Sequence, residues 1–343
     1  MEKHKLPAKQ RKNVEKQAQQ IRYCLKLAQE YFVASRSVTS ATKGVLQYYG
    51  VMNLAIAEFL FKQDGDSSLD RIRQKHRHHG LEFSFKKPPN NHEESFSLSA
   101  ARLSSKPYIN GSDRYGTFSL WQKTSQESPQ VGKHTTVFEK TSKTKAPILA
   151  VSSDYLTPLS ENGISLLDAL TSLPFLDSTL RYLNQQRNYS RGSIQLTSNI
   201  VNKKELIDLV IQPHPHVEYQ SLLERFIFPQ AGKMIEPDGG GGIFKYHYEA
   251  GASGENITCP GGVQYTSDEL FWYVEDHSLN EFGYIYVALH MLGNFSRYYP
   301  HYWISEIERS TELSVVCDHF MQNIELRAST LIYSELSGCL CLY

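Results

Sequence analysis

The sequence predicts a predominantly α-helical α+β fold, in which an N-terminal helical bundle and C-terminal helices surround a β-containing middle. Three observations support this prediction. Apolar residues recur at helical spacing near both ends of the chain, whereas short alternating runs occupy its middle. The 343 residues are 40% hydrophobic and 21% charged, which is typical of globular proteins and unlike disordered chains.

The N-terminal region, residues 1–84, contains three predicted helices. Apolar side chains three and four residues apart predict a long helix that includes Val14–Phe32, with no Pro or Gly to interrupt it. The pattern predicts a second helix over Ser40–Lys62. A short basic helix is expected from Leu69 to about His78, and the following Gly80 is suited to end it.

Residues 85–147 are rich in Ser, Thr and Lys and lack a helical pattern. Two short alternating runs, Gly116–Trp121 and Thr135–Lys140, predict a β-hairpin. We therefore interpret this segment as a polar hairpin or loop insertion.

Residues 148–343 predict a mixed middle followed by C-terminal helices, packed with the N-terminal region as one large unit. Alternating residues indicate strands over Ser193–Ile200 and Ile243–Tyr248. The predicted helices are Ser165–Leu173, Phe175–Gln185, Val217–Phe228, Leu279–Phe295, Trp303 to about Met321, and Ile324–Leu336.

The charges balance overall but are distributed unevenly. Up to Lys145 there are 25 Lys and Arg against 13 Asp and Glu, a net charge of +12, and the remainder carries −12. A basic half suits a phosphate-bearing partner, although the two halves could equally neutralise each other within a chain or across a dimer. Five scattered cysteines, no secretory pattern and no long apolar run predict a cytosolic protein without membrane contact.

Several familiar sites are unsupported. Gly239–Gly242 precedes a strand-like run and lacks the Lys-Ser/Thr pair of a phosphate-binding loop, so Met234–Gly242 is better interpreted as a flexible loop. Lys75 and Arg77 would repel a cation from the neighbouring histidines, so we expect no metal, and no motif indicates a cofactor. Serine-hydrolase, zinc-protease and zinc-ribbon motifs are also absent from the sequence.

Three segments carry a resemblance to a known family. Leu46-Gln-Tyr-Tyr-Gly-Val-Met-Asn-Leu-Ala55, followed by His79-Gly80-Leu81, resembles the N-terminal signature of the bacterial YaaC-like family. Phe295-Ser-Arg-Tyr-Tyr-Pro300, with Trp303, is similar to that family's Arg-Tyr-x-Pro-x-x-Trp segment. The resemblance spans nearly the whole chain, but it implies no particular activity and no catalytic residues.

The predicted N-terminal helices also resemble, more distantly, those of HEPN nucleases, which cut RNA without metal. In those enzymes an Arg-x(4–6)-His motif is brought together by two subunits, with His moving protons and Arg holding phosphate charge. Arg73 and His78 match this spacing, with Arg71, His76 and His79 as alternates. The alternative interpretation is an exposed basic helix end that complements the helix dipole.

Further basic and aromatic residues are candidate ligand or nucleic-acid contacts. Lys75 and Arg77 flank the histidines, while Arg297 could hold a phosphate beside the stacking rings of Tyr298 and Trp303. Alternatively, this second group forms a helix corner around Pro300, in which Arg297 caps carbonyls and pairs with Glu306 or Glu308.

The sequence leaves two main hypotheses for function. The first is an RNA-binding, HEPN-like endoribonuclease of defence or toxin type that acts as a homodimer. The second is a non-catalytic helical scaffold that forms a homo-oligomer or docks a partner protein. A small-molecule or nucleotide binder that uses the Gly-rich region of residues 234–262 is a third.

Overall fold

The computed structural model describes most of the chain, and side chains are described for a smaller part of it. The backbone is described for residues 8–62, 68–89, 95–126, 133–135, 143–145, 148–150, 158–201, 204–213, 233–235, 244–249, 257–259, 263–265, 269–273, 279–337 and 339–340. Side chains are described for residues 12–62, 68–89, 95–125, 158–192 and 279–337.

The chain opens with an antiparallel pair of long helices. Helix α1 spans Ala8–Arg36 and helix α2 spans Ser40–Lys62, which confirms both predicted helices. The three-residue connection forces them to run side by side in opposite directions. Phe32 of α1 packs on Gly50 of α2 so closely that a Cβ there would lie 2.9 Å from the Phe32 ring.

Helix α8, Glu281–Tyr298, forms the centre of the core. Nearly all its residues up to Phe295 are buried, as expected for a helix covered on every side. Its first turn is capped by Asn280, whose side chain accepts a hydrogen bond of 2.9 Å from the Gly283 amide. Gly293 faces Tyr48 and Val45, which brings α8 directly against α2.

Pro300 separates α8 from helix α9, Pro300–Glu308, as its fixed φ and missing amide predict. The predicted division into one helix from Trp303 to about Met321 and another over Ile324–Leu336 is wrong, because helix α10 spans Glu312–Ser337 without interruption. The break falls instead at Ser310, whose φ is 50°.

The break between α9 and α10 has a capping explanation that periodicity does not reveal. The Thr311 hydroxyl accepts a 3.3 Å hydrogen bond from the Ser314 amide, and so caps α10. Thr311 also donates to the Glu306 carboxylate of α9, which holds the corner together.

Between α2 and α8 the chain forms short elements that complete the helical layer. They are α3 (Leu69–His76), β1 (Leu81–Phe85), α4 (Phe96–Ala101), β2 (Leu103–Pro107), β3 (Ile109–Asn110), β4 (Asp113–Arg114) and α5 (Thr117–Gln126). Strands β1 and β2 pair antiparallel, with Leu81 opposite Pro107 and Phe85 opposite Leu103. Helix α3 confirms the predicted basic helix but ends two residues earlier.

The prediction of a strand over Gly116–Trp121 is wrong, because Thr117–Gln126 is helical. Phe118 and Trp121, three residues apart, are both fully buried on one helix face. The Trp121 indole donates a 2.6 Å hydrogen bond to Glu58 of α2. A six-residue run is too short for alternation to distinguish these two structures.

Residues 95–125 contribute several buried side chains to the main core. Phe96, Leu103 and Trp121 are at most 1% exposed and belong to the same hydrophobic cluster as Phe59 and Leu170. The part of the proposed insertion with described side chains therefore packs with the regions on either side of it.

The β-containing middle begins with short strands after α5. Strands β5 (Lys133–Thr135), β6 (Lys143–Lys145) and β7 (Ile148–Ala150) are followed by β8 (Ile164–Ser165), which pairs with β2. Of the predicted strand Thr135–Lys140, only Thr135 lies within the described residues. Helices α6 (Leu166–Thr171) and α7 (Asp177–Tyr182) confirm the two helices predicted there.

An antiparallel sheet of six strands follows, in the order β11-β12-β10-β9-β15-β14. The strands predicted over Ser193–Ile200 and Ile243–Tyr248 lie within β9 and β12 of this sheet. Strand β13 pairs with β7, and β16 pairs with β5. Strand bounds are Tyr189–Val201 (β9), Lys204–Pro213 (β10), Lys233–Ile235 (β11), Phe244–Glu249 (β12), Ile257–Cys259 (β13), Val263–Tyr265 (β14), Glu269–Tyr273 (β15) and Cys339–Leu340 (β16).

The fold is therefore predominantly α-helical with a β-containing middle, as the sequence predicts. The predicted helix Val217–Phe228 and the glycines Gly239–Gly242 lie outside the described residues.

Candidate functional site

The turn after α3 is anchored to the start of α5 through its backbone. The His78 carbonyl accepts from the Thr117 amide at 2.8 Å, and the His79 carbonyl accepts from the Phe118 amide at 3.0 Å. Two glycines with positive φ let the segments touch, because a Cβ on Gly116 would lie 2.5 Å from the Gly80 Cα. This contact between the turn after α3 and the start of α5 fixes the positions of His78 and His79.

His78 is held in a ring stack. Its imidazole lies 3.9 Å from the Tyr108 ring centroid at an interplanar angle of 16°, with the Tyr115 ring edge-on at 6.4 Å. The Gly80 amide donates to its Nδ1 at 3.3 Å. In neutral His78 the proton therefore lies on Nε2.

His79 turns inward from the same segment toward α2. Its Nδ1 lies 3.0 Å from the Tyr48 hydroxyl oxygen, and its ring also contacts the Tyr49 ring at 6.3 Å. Burial lowers the pKa of His79, and the positive charges of His78 and Arg297 lower it further. This imidazole is consequently biased toward its neutral, proton-accepting form.

Tyr48 stands at the centre of a buried aromatic and polar cluster. Its ring lies 5.7 Å from that of Tyr286 and 5.6 Å from that of His290, both on α8. Burial raises the pKa of Tyr48 well above its usual range, so its hydroxyl keeps its proton. The Tyr286 hydroxyl is buried and has no hydrogen-bond partner of ordinary geometry within the described part of the chain.

His290 closes the interior side of this cluster. Its Nδ1 lies 2.7 Å from the Ser105 hydroxyl oxygen on β2. Burial lowers the pKa of His290 to about 3, with smaller contributions from His79 and His78, so this imidazole is neutral near neutral pH. It is a structural neighbour of the cluster and has no exposed face.

Arg297 occupies the rim, on the last turn of α8. Its guanidinium carbon lies 5.1 Å from the Tyr298 ring centroid, and its side chain donates to the Tyr298 hydroxyl at 3.4 Å. Its charge acts on the inner groups as well, because it lowers the pKa of both His79 and Tyr48. Arg297 and the largely exposed Tyr298 remain accessible to a ligand.

The basic residues predicted on α3 lie outside this cluster. Arg71, Arg73, Lys75 and Arg77 are exposed, and His76 is half-buried. The charge of Arg73 affects the pKa of Asp70 and His76, and no hydrogen bond or ring contact joins it to His78 among the described residues. Among the described residues of one chain, Arg297 is the arginine whose charge lowers the pKa of His79.

Trp303 is buried in the core and not exposed to a ligand. It is 2% exposed, its indole donates to the Ser40 carbonyl at 3.3 Å, and its ring contacts Phe295. Its burial leaves no face on which a base could stack. The alternative interpretation of a helix corner fits Trp303, whereas the expected glutamate partner Glu306 pairs with Arg309 instead of Arg297.

Sequence reasoning missed the interior of the site. Ser105, Tyr286 and His290 carry no local signal, since a buried polar residue on an apolar helix is identified only by what it contacts. One usable signal existed, because Tyr48, His79 and Arg297 each lie in one of the three segments that carry the family resemblance. Tertiary packing brings these three segments together at one place.

The described residues contain no group of three or more His, Cys, Asp or Glu side chains placed to hold a metal ion. They also contain no helix that is both long and apolar enough to cross a membrane.

Comparison with known proteins identifies the family of this chain. No curated protein and no solved structure matches the chain, so these comparisons lend no support to the likeness to HEPN domains. The family model described as "YaaC-like Protein" matches residues 1–336. The chain therefore belongs to the YaaC-like protein family.

Proposed function

We propose that this protein acts in the bacterial cytosol as an RNA-engaging, metal-independent endoribonuclease. The observation that supports this function is that His79 lies close enough to the adjacent His78 imidazole and to the rim guanidinium of Arg297 for both of their charges to lower its pKa. Two groups that can transfer protons, beside one fixed cation, suit the breaking of a phosphodiester without a metal.

The chemistry assigns a role to each group. The neutral His79 imidazole takes the proton of a ribose 2′-hydroxyl, whose oxygen attacks the adjacent phosphorus. The bond from phosphorus to the 5′-oxygen breaks, and His78 gives the proton on its Nε2 to that oxygen. The products are a 2′,3′-cyclic phosphate and a 5′-hydroxyl, while Arg297 balances the charge that develops on the phosphoryl oxygens.

The exposed basic side chains of α3 and of the residue that follows it suit the RNA backbone leading to this site. Arg73, Lys75 and Arg77 supply three positive charges on one short segment. Contacts of this kind bind phosphates without reading sequence, and they make affinity fall with salt. Tyr298, which is 61% exposed, offers a ring on which a base can stack.

A HEPN-like arrangement places the active arginine and histidine on different subunits. Arg73 is exposed and therefore available to a second copy of this chain, as such a homodimer requires. The two assignments differ in which arginine is essential, Arg297 within the chain or Arg73 across the dimer. By functional analogy alone, this activity would serve in defence or as a toxin.

The test is RNA cleavage by the purified protein in excess EDTA, with four substitutions. His79→Gln and Arg297→Gln are expected to lower the rate by about 10²-fold or more. The matched control is Arg309→Gln, an exposed arginine paired with Glu306, which should leave the rate unchanged. A loss in Arg73→Gln without a loss in Arg297→Gln would move the assignment to the HEPN-like arrangement.

Absence of cleavage by the folded wild-type protein would reject the nuclease proposal. That outcome would favour a non-catalytic scaffold, for which α1 supplies a specific observation. Tyr23 and Leu27, one helical turn apart, are each 50% exposed. The basic first half and acidic second half of the chain are complementary, so the partner we favour for this face is a second copy of the chain.

The scaffold alternative has its own test in light scattering. A dimer held by this face should dissociate in the Leu27→Glu variant and weaken at high salt. It should survive replacement of His76, His78 and His79. An oligomer that is indifferent to both salt and Leu27→Glu would contradict this alternative.

A further inference from the structure

Asp177, the first residue of α7, accepts hydrogen bonds from three side chains that follow it in the sequence. Its Oδ1 accepts from Arg187 at 3.0 Å and from the Tyr189 hydroxyl at 2.9 Å, and its Oδ2 accepts from Arg191 at 3.2 Å. Arg181, one helical turn further along α7, lies 3.6 Å from the same Oδ2. Three guanidinium groups therefore surround a single carboxylate.

The positive charge of this arginine cluster, Arg181, Arg187 and Arg191, exceeds the negative charge of Asp177. Burial alone would raise the pKa of Asp177, but hydrogen bonds from Tyr189 and Arg187 and the nearby guanidinium charges lower it, so the carboxylate is ionised near neutral pH. Three positive groups and one negative group leave a net charge of +2 on these four side chains.

Two members of the arginine cluster combine exposure with hydrogen-bond donors that Asp177 does not use. A guanidinium carries five N–H groups. To the described residues, the Arg187 side chain donates one hydrogen bond and the Arg181 side chain donates none. These side chains are 37% and 60% exposed, whereas that of Asp177 is 15% exposed. A ligand from solvent can therefore reach both guanidinium groups while the carboxylate remains largely covered.

A terminal phosphate is the ligand whose chemistry fits this excess of charge and donors. Guanidinium groups bind phosphate oxygens through paired, charge-assisted hydrogen bonds. A phosphate monoester carries a charge of about −1.5 to −2 near neutral pH, which balances the excess, whereas a phosphodiester carries a single negative charge. The contacts of Tyr189 and Arg191 with Asp177 are enough to join α7 to β9, so Arg181 and Arg187 are available to a ligand.

We propose that Arg181 and Arg187 bind a terminal phosphate group, either free phosphate or the monoester end of a larger molecule. Asp177 holds Arg187 in place and competes with the ligand for its donors. The site is independent of the proposed nuclease activity, because no hydrogen bond, ion pair or ring contact joins it to Tyr48 or His79 within the described residues.

The test is isothermal titration of the full-length protein with inorganic phosphate near neutral pH and at constant ionic strength. The wild type should bind phosphate, and Arg181→Gln and Arg187→Gln should each raise Kd about tenfold or more. The matched control is Arg36→Gln, since Arg36 is an exposed arginine that pairs with the single carboxylate of Glu325, and its Kd should not change. No binding by the wild type, or an unchanged Kd in both cluster variants, would overturn the proposal.

Asp177→Asn distinguishes a ligand site from a structural link. The amide keeps the shape of the carboxylate but removes the competing charge, so this variant should bind phosphate more tightly than the wild type, even where it unfolds more easily. Equal or weaker binding by the folded variant would contradict the excess of charge on which the site depends. Circular dichroism establishes folding, and the two arginine variants decide the proposal if Asp177→Asn does not fold.

Two adenosine phosphates test the preference for a terminal phosphate and identify its source. Adenosine 5′-monophosphate carries a monoester, whereas 3′,5′-cyclic adenosine monophosphate carries a diester on the same nucleoside. Binding of the monoester as tightly as inorganic phosphate would indicate the end of a larger molecule, and binding of inorganic phosphate alone would indicate the free ion. Binding of the cyclic diester as tightly as the monoester would overturn the assignment to a terminal phosphate.

Discussion

The charge of Arg297 lowers the pKa of His79, although the two residues lie far apart in the sequence. Arg297 ends α8, whereas His79 follows α3, and the Tyr48 ring of α2 contacts both His79 and α8. Because this relationship depends on helix packing, it can be tested separately from any activity.

Removal of the Arg297 charge should raise the pKa of His79. A nearby positive charge opposes protonation of the imidazole, so Arg297→Gln relieves the opposition. Arg297→Lys keeps the charge and should leave the pKa low. NMR titration of the His79 ring protons measures both, with Arg309→Gln as a control for charge at a distance. A His79 pKa that does not move in Arg297→Gln would show that the guanidinium exerts no such effect in solution.

Substitution of Gly116, which packs against Gly80 beside the histidines, should destabilise the protein more than substitution of the turn glycine Gly111. Gly111 has a φ of 67° and no atom within 4 Å of an added Cβ, so Gly111→Ala should cost only backbone strain, about 1–2 kcal/mol. Gly116→Ala adds a clash with Gly80 and should cost about 1–3 kcal/mol more. Urea unfolding gives both free energies, and equal losses in the two variants would contradict the close approach.

The buried charge cluster at the end of α2 should make stability depend on pH. Lys62 lies 2.8 Å from Glu58 and 2.7 Å from Glu335 of α10. Burial and the neighbouring Glu58 raise the pKa of Glu335 from 4.5 to about 7. The folded protein therefore keeps a proton that the unfolded chain loses.

For a carboxyl with a raised pKa, unfolding becomes more favourable as pH rises between the two values. The free energy of unfolding should consequently fall between about pH 4.5 and about pH 7 in the wild type. Glu335→Gln removes this titration, so its curve should be flatter over that range. Denaturant unfolding at several pH values checks this, and parallel curves for the two proteins would refute it.

Two Arg–Glu pairs that involve α10 should differ greatly in their effect on stability. Arg327 and Glu281 are buried with 4% and 5% side-chain exposure, so Arg327→Ala strands a buried charge and should cost about 3–5 kcal/mol. Glu325 pairs with the largely exposed Arg36, so Glu325→Ala should cost about 0–1 kcal/mol. Comparable losses of unfolding free energy would contradict the difference in burial.

Local spacing was enough to predict α1, α2 and α8, because apolar residues recur at helical spacing along each of them. It was not enough for α5, since a six-residue run that includes Phe118 fits a strand and a helix equally well. The break at Ser310 was also missed, because it depends on a hydroxyl cap at Thr311 that periodicity does not report.

For the candidate site too, some features were predictable from the sequence and others were not. The sequence identified the basic, histidine-rich segment after α3, and it singled out Arg297 as a possible phosphate contact. It could not pair Arg297 with His79, since nothing in local spacing relates the end of α8 to the turn after α3. Nor could it distinguish the buried Trp303 from the exposed Tyr298, because both are aromatic residues in the same short segment.

The sequence by itself determined the helical class, the positions of most main helices and the candidate functional side chains, because these follow from side-chain type and spacing along the chain. Only the tertiary structure decided which of these groups meet. Packing of α8 against α2 buries Tyr48, Tyr286 and His290 together and places Arg297 at their rim. Burial and the distances between charges set the protonation of His79, and both arise only when distant segments pack together.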